Sequence, residues 1–288
     1  MFNIVVVGDP KKPQELLLTL NTIAADRNGR RVVSLLNVSI AAIDAEMEAY
    51  QPIFADKELA TQRISDTPGF MAKYEAFKQL REFLTTNPVT MVEPDEGEGL
   101  PSLVNAAIEA EDYPYALIIE GGTMFPHPWY MRFYQTLYTA NIYKNGPVAV
   151  TGRLVNLSNS RVVCAGVRSV TASFPEYMGF GDHDTVVRYN TRLRVLHLPK
   201  EFMIVTRDAW KHVGGFDPKY KAAFWDFDFS AKIAADNKLM FYEPDLRLST
   251  YDSIINRMHK SSLPADYMRM YEQDYARYIK LHGGSSDG

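Results

Sequence analysis

The chain has 288 residues, 46% hydrophobic and 23% charged, an ordinary globular composition with enough apolar material for a large core. Its 31 basic and 35 acidic residues leave a net charge of −4, so bulk electrostatics give no case for nucleic-acid binding. The single cysteine, Cys164, excludes an internal disulfide and a cysteine-based zinc cluster and reads as a small core residue.

No apolar run approaches the ~20 residues that span a bilayer, and the expectation is a soluble, cytoplasmic protein. The opening "MFNIVVVGDPKK" lacks a basic n-region, so it reads as a first strand over residues 2–7, buried on both faces, and not as a signal peptide. Leu16, Leu17, Leu20, Ile23 and Ala24 then recur at helical spacing until Asn28-Gly29. A second strand follows at 31–38. Residues 39–66 show no clear period and contain Pro52; they read as an excursion with room for a short helix. Phe70, Tyr74, Phe77, Leu80, Phe83 and Leu84 mark a helix that Ser65 or Asp66 opens and Pro88 closes. A third strand at 89–92, an acidic loop "EPDEGEG", a helix at 103–110, a fourth strand at 115–119 and an aromatic-rich helix at 127–143 complete the first half.

Strand and helix thus alternate about four times, which implies a parallel sheet with helices on both faces and ligands beyond the C-terminal strand ends. That order gathers Gly8, Asp9, Asn37, residues 93–99, Glu120, Gly121 and Gly122 around one cleft. The second half reads as strands and turns, with a hairpin near 156–160, an apolar run at 196–205, and a strand at 239–243. A helix bearing tyrosines and methionines follows over 264–281. No repeat or low-complexity linker divides the chain.

Residues 202–245, "FMIVTRDAWKHVGGFDPKYKAAFWDFDFSAKIAADNKLMFYEPD", resemble the acceptor half of family 2 glycosyltransferases with the GT-A fold. In that family a strand leads into R-x-x-[FW]-x-x-V-G-G-F-D, then an acidic pair, a helix and a strand. Arg207, Trp210, Val213 to Asp217, and Asp226 stand here in that order. "EGLPSLVNAAI", with Gly99 and Asn105 six apart, is similar to the family's glycine-rich entry to its third helix. The resemblance spans roughly residues 2–10, 31–38, 89–135 and 196–250. It implies an α/β fold: a GT-A-type, mostly parallel sheet flanked by helices, a smaller mixed or antiparallel acceptor-side sheet, and a C-terminal helix. The implied organisation is one domain, 1–288, with a nucleotide-sugar half (1–150), an acceptor half (151–250) and a helical extension (251–288).

The resemblance also implies a chemistry: inverting transfer of a sugar from a nucleotide-diphosphate donor, UDP-sugar favoured, to an acceptor hydroxyl. Such transfer needs the leaving diphosphate neutralised and one base for the acceptor proton, without a glycosidase carboxylate pair. Asp226 takes the position of the family's base, with Trp225 where a Glu usually precedes it. The plain alternative is that Asp226 or Asp228 caps its helix. Phe224, Trp225, Phe227 and Phe229 either desolvate that carboxylate, stack on a sugar, or are core.

Glu120 aligns with the first acid of the family's Asp-x-Asp motif and Gly122 with the second, a degenerate form. Glu120 then reaches a ribose or a metal, and Gly122 has only its amide to offer a phosphate. The substitution puts a divalent metal (Mn or Mg) in doubt; Glu120 and His259 are its candidate ligands, with Asp95 or Glu96 as further acids. Donor contacts are expected from Gly8, Asp9, Asn37, Gly99, Glu120, Gly121 and Gly122, although Gly8-Asp9-Pro10 stands where the family has Pro-x-Tyr-Asn. Arg188, Arg192 and Arg194 read as ligands of a diphosphate or anionic acceptor, or as surface charge. The stripe over 267–279 reads as packing or a homodimer contact. The acceptor is open among a saccharide, a lipid-linked sugar, a nucleobase and a protein hydroxyl. A non-catalytic nucleotide-sugar-binding or scaffold protein on the same fold is the second reading, motivated by Gly122 and Trp225. A nucleotidyltransferase is the third; "GDPKKPQE" has too few glycines for its usual first loop.

Overall fold

The computed structural model describes residues 2–27, 31–66, 69–95, 97–139, 148–171, 174–251 and 265–283. Its centre is four parallel strands: β1 (Phe2–Val7), β2 (Arg31–Leu36), β3 (Val89–Val92) and β4 (Tyr115–Glu120), in the order β3-β2-β1-β4. Helix α1 (Pro13–Ala25) joins β1 to β2. Between β2 and β3 the excursion holds three helices, α2 (Ile40–Glu48), α3 (Gln51–Ala55) and α4 (Lys57–Asp66), before α5 (Phe70–Thr86). The sequence concealed them because α2 buries only Ile43 and α3 buries nothing, so no apolar stripe repeats. Pro52 is accommodated in the first turn of α3, where a missing N–H leaves no helical bond unmade. Helix α6 (Leu100–Ala110) crosses from β3 to β4.

The second half continues through β5 (Thr123–Met124), α7 (Tyr130–Thr139), β6 (Ala149–Asn156), β7 (Val162–Cys164), β8 (Val167–Thr171), β9 (Phe174–Tyr177) and β10 (Leu193–Arg194). It closes with β11 (Phe202–Thr206), α8 (Arg207–His212), α9 (Trp225–Ala235), β12 (Met240–Thr250) and α10 (Ala265–His282). The full sheet order is β10-β12-β6-β11-β4-β1-β2-β3, with β7 on β6 and β5 on β12, while β8 and β9 form a separate antiparallel pair. Strand β11 lies antiparallel between β4 and β6. The second strand ends at Leu36 and not at residue 38, and two later strands differ more from their sequence reading. The run at 196–205 is strand only from Phe202, and β12 continues past Glu243 because a register shift between Tyr242 and Arg247 lets Pro244 pass.

Strands β1 and β4 are buried on both faces. Phe2, Ile4 and Val6 of β1 and Tyr115, Leu117 and Ile119 of β4 pack with α1, α5 and α7. Val5, Ala116 and Ile118 pack on the opposite face with α6, α8, α9 and α10. No helix of the described residues is long and apolar enough to cross a membrane.

Candidate active site

Strand parity determines what reaches the cleft. Side chains alternate across a sheet. Ile119 lies on the α1 face, so Glu120, one residue on, turns to the α6–α9–α10 face at the C-terminal end of β4. Antiparallel β11 pairs Phe202 with Ile119, and Phe202 also packs on the α1 face. Glu201, one step before Phe202, therefore arrives beside Glu120 on the same face. Helix α9 brings Asp226 to this point from the other side.

The cleft so formed has a volume of about 530 Å³. Asp9, Asn37, Pro94, Glu98 and Glu120 lie on the strand-end side; Phe224, Asp226, Phe227, Tyr267 and Tyr271 form the opposite wall, with Lys200 and Glu201 between. The Lys200 backbone N–H donates to Asp226 Oδ2 at 2.8 Å. Its ammonium lies 3.6 Å from Glu120 Oε1 and donates to the Tyr267 hydroxyl at 3.3 Å. The Tyr177 hydroxyl donates to Glu201 Oε1 at 3.3 Å. Asp226 Oδ1 and Glu201 Oε2 are buried without a hydrogen-bond partner among the described residues.

Burial pushes the Asp226 carboxyl up to about 6, against the opposing charge of Lys200. Burial likewise pushes Glu201 up to about 7; Lys200 opposes this, and the charges of Glu120 and Asp226 add to it. Burial alone would lower the Lys200 ammonium, yet Tyr267, Glu120, Glu201 and Asp226 outweigh it and the net shift is upward. The cluster thus combines three buried carboxyls with one firmly charged lysine.

Neither aspartate of α9 caps it. The N-cap is Phe224, in the left-handed region at φ 61°, with no side-chain cap bond. Asp226 is taken by Lys200, and Asp228 binds Lys232 Nζ (2.8 Å) and His282 Nε2 (2.9 Å). Phe224 and Phe227 line the cleft, whereas Trp225 and Phe229 are core, packed on Phe216 with centroids 4.8 and 4.7 Å away.

The four glycines expected at the donor do not line the cleft. Gly8 and Gly121 let strand ends approach Val38 and Leu16, and a Cβ on Gly99 would stand 2.4 Å from the Tyr220 carbonyl oxygen. The Gly122 amide, the one group that residue had to offer a phosphate, donates to Thr19 Oγ1 (2.9 Å) and the Glu15 carbonyl (3.2 Å). Asp9 and Asn37 do line the cleft. His259 and Glu96 lie outside the described residues. Asp95 is not among the cleft-lining residues; its neighbour Glu98 is. Arg188 pairs with Asp182 and Arg192 with Glu243 (2.5 Å), and both stand away from the cleft, as does Arg194. The Tyr/Met stripe is divided: Tyr267, Met270 and Tyr271 reach the cleft, and Tyr278 packs in the core.

Sequence reasoning missed Lys200 and Glu201. The available signal was a charged pair inside the run 196–205, which an uninterrupted buried strand would not contain.

The residues that carry the family resemblance build the frame. Asn105 Oδ1 accepts from Trp210 Nε1 and the Phe216 amide, both at 2.9 Å, and Asn105 Nδ2 donates to the Phe216 carbonyl at 2.7 Å. Gly215, at φ 75°, brings the chain so close that a Cβ would stand 2.9 Å from Asn105 Oδ1. Arg207 donates to the carbonyls of Glu109 and Glu111 at the end of α6. These contacts lock α6 to the segment that presents Asp226.

A parallel β3-β2-β1-β4 sheet continued by antiparallel β11, with its cleft at the strand ends, is the GT-A fold. Among solved structures, the chain is similar to GalNAc-T7 with UDP, GalNAc and Mn2+ at a TM-score of 0.55 and 11% identity, covering 99% of this chain and 56% of that one. It is also similar to S. aureus TarS 1–349 in complex with UDP-GlcNAc (TM-score 0.52, 11% identity, 99% and 73% covered) and with UDP (0.51, 10%, 99% and 72%). The chain therefore spans little more than half of the GalNAc-T7 chain it matches. The sequence matches no family model and no characterised protein sequence.

Proposed function

We propose that the protein transfers a sugar from a nucleotide-diphosphate donor, UDP-sugar favoured, to an acceptor hydroxyl with inversion, Asp226 acting as the base. One observation carries this reading: Asp226 is a buried carboxylate of raised pKa in the strand-end cleft, held at Oδ2 by the Lys200 N–H and without a partner at Oδ1. A base poised near neutral pH combines the right protonation state with the drive to accept a proton. The proton of the acceptor hydroxyl passes to Asp226 Oδ1 while its oxygen bonds to the anomeric carbon; the nucleoside diphosphate leaves from the opposite face. A single displacement inverts that centre, and one carboxylate suffices.

In this reading residues 1–150 receive the nucleotide through Asp9 and Asn37, and 151–250 present the base. The tyrosines of α10 form an aromatic wall suited to a saccharide acceptor. The UDP and UDP-GlcNAc complexes of the similar structures support the donor class. A divalent cation, when bound, would neutralise charge on the leaving diphosphate.

The test is UDP release from a panel of UDP-sugars, with and without Mn2+. Asp226→Asn should lower release by about 10²–10⁴-fold while UDP binding persists. Release that survives this substitution places the base elsewhere. Binding without turnover in the wild type favours the non-catalytic reading.

A further inference from the structure

We propose that Glu201 supplies the carboxylate that position 122 lacks, so that Glu120 and Glu201, from two antiparallel strands, hold a divalent cation against the donor diphosphate. The inference rests on the nucleotide-sugar reading above and concerns the same cleft.

The turn after β4 does not fit a two-acid cation site. Gly122 sits at φ 92°, and a Cβ there would meet Glu15 Oε2 at 3.3 Å, so a side chain would start against α1. Its amide is already donated to Thr19 and Glu15. Glu201 fits where Gly122 does not. The β4–β11 register sets it beside Glu120 on the cleft face. It is 4% exposed, Tyr177 fixes one oxygen, and the other oxygen has no hydrogen-bond partner among the described residues. An ionised carboxylate desolvated to that degree draws on nearby positive charge, here Lys200 and, with a diphosphate in the cleft, a cation.

Charge balance points the same way. Five acids line the cleft against two lysines, Lys200 and Lys221, and a diphosphate brings further negative charge. Among the described residues no three His, Cys, Asp or Glu side chains are arranged to hold a metal ion by themselves. Hard cations such as Mn2+ and Mg2+ are commonly held by one or two carboxylates, with substrate phosphates and water completing the shell. Two glutamates therefore suffice, and the cation should bind well only together with the nucleotide. Asp226, already held by Lys200, stays available as a base. The Lys200 ammonium, 3.6 Å from Glu120, balances the same acids and competes with the cation.

Mn2+ binding, read by electron paramagnetic resonance with and without UDP, tests this independently of turnover. Mn2+ should bind the wild type with UDP and far more weakly without it. Glu201→Gln should weaken Mn2+ binding in the presence of UDP at least about tenfold, as loss of a ligand should cost no less than the roughly 10–100-fold seen for outer-shell partners. Lys200→Met should act in the opposite sense and tighten Mn2+ binding, a gain that misfolding cannot imitate. If Mn2+ affinity is unchanged by Glu201→Gln, the assignment is overturned and the nucleotide-sugar reading stands. If UDP binds in EDTA and Lys200→Met abolishes that binding, the ammonium is itself the cation and the assignment again falls. If UDP fails to bind at any Mn2+ concentration, the nucleotide-sugar reading falls and takes this inference with it.

Discussion

Asp226 lies on the second residue of its helix, 2% exposed, with a lysine amide on one oxygen. A base must be ionised to act, and this carboxyl takes up its proton near pH 6. The kcat/KM for sugar transfer should therefore be full above that value and fall about tenfold per unit below it, as a pH–rate profile would show. That Glu120 and Asp226 line the cleft was legible in the sequence because each sits at a boundary, one at the end of a strand and one at the start of a helix. Lys200 and Glu201 were not, because their placement depends on β11 pairing antiparallel with β4, a partner more than eighty residues away. Glycine was over-read: Gly8, Gly99, Gly121 and Gly122 suggested phosphate contacts, yet each makes room for a neighbouring part of the chain.

Helix α10 was expected as a terminal extension, and its role follows from three clamps. Asp274 accepts from the backbone amides of Lys221 (3.1 Å), Ala222 (2.8 Å) and Ala223 (2.9 Å). Arg277 pairs with Asp217 at 2.5 Å, and His282 with Asp228 at 2.9 Å. The clamped segment, 221–224, lines the cleft together with Tyr267 and Tyr271 of the helix itself. Asp274→Ala would strand buried amides at Ala222 and Ala223, at about 1–3 kcal/mol for each unsatisfied group. A lower urea midpoint should result, and UDP affinity should fall even though Asp274 does not line the cleft.

Across the whole molecule the fold was legible and the site only partly so, for one reason. The recognisable residues, Arg207, Trp210, Gly215 and Asn105, hold α6 to the acceptor half, and such a frame demands fixed residue types at fixed spacing. The cleft cluster needs only that charges meet in space. Meeting there has a thermodynamic consequence. Because the folded state raises the Asp226 pKa above its ordinary 3.8, the stability linked to its proton is fully present below about pH 4 and lost as pH rises through about 6. Asp226→Asn cannot ionise. It should melt above the wild type at pH 8, by on the order of 2–3 kcal/mol, and the gap should close toward pH 4; thermal melts in EDTA would check both.

Lys221 ties the cleft together. Its carbonyl accepts from the Leu100 amide (3.1 Å), its ammonium donates to the Gly97 carbonyl (2.5 Å), and its own amide is held by Asp274. The acidic loop, the first turn of α6 and the C-terminal helix thus share one fastening. Two walls pinned at a common rivet cannot swing apart as jaws about a distant hinge. Any opening that admits a ligand must shear or unfasten at that point, and the donor and acceptor sides then loosen or tighten together.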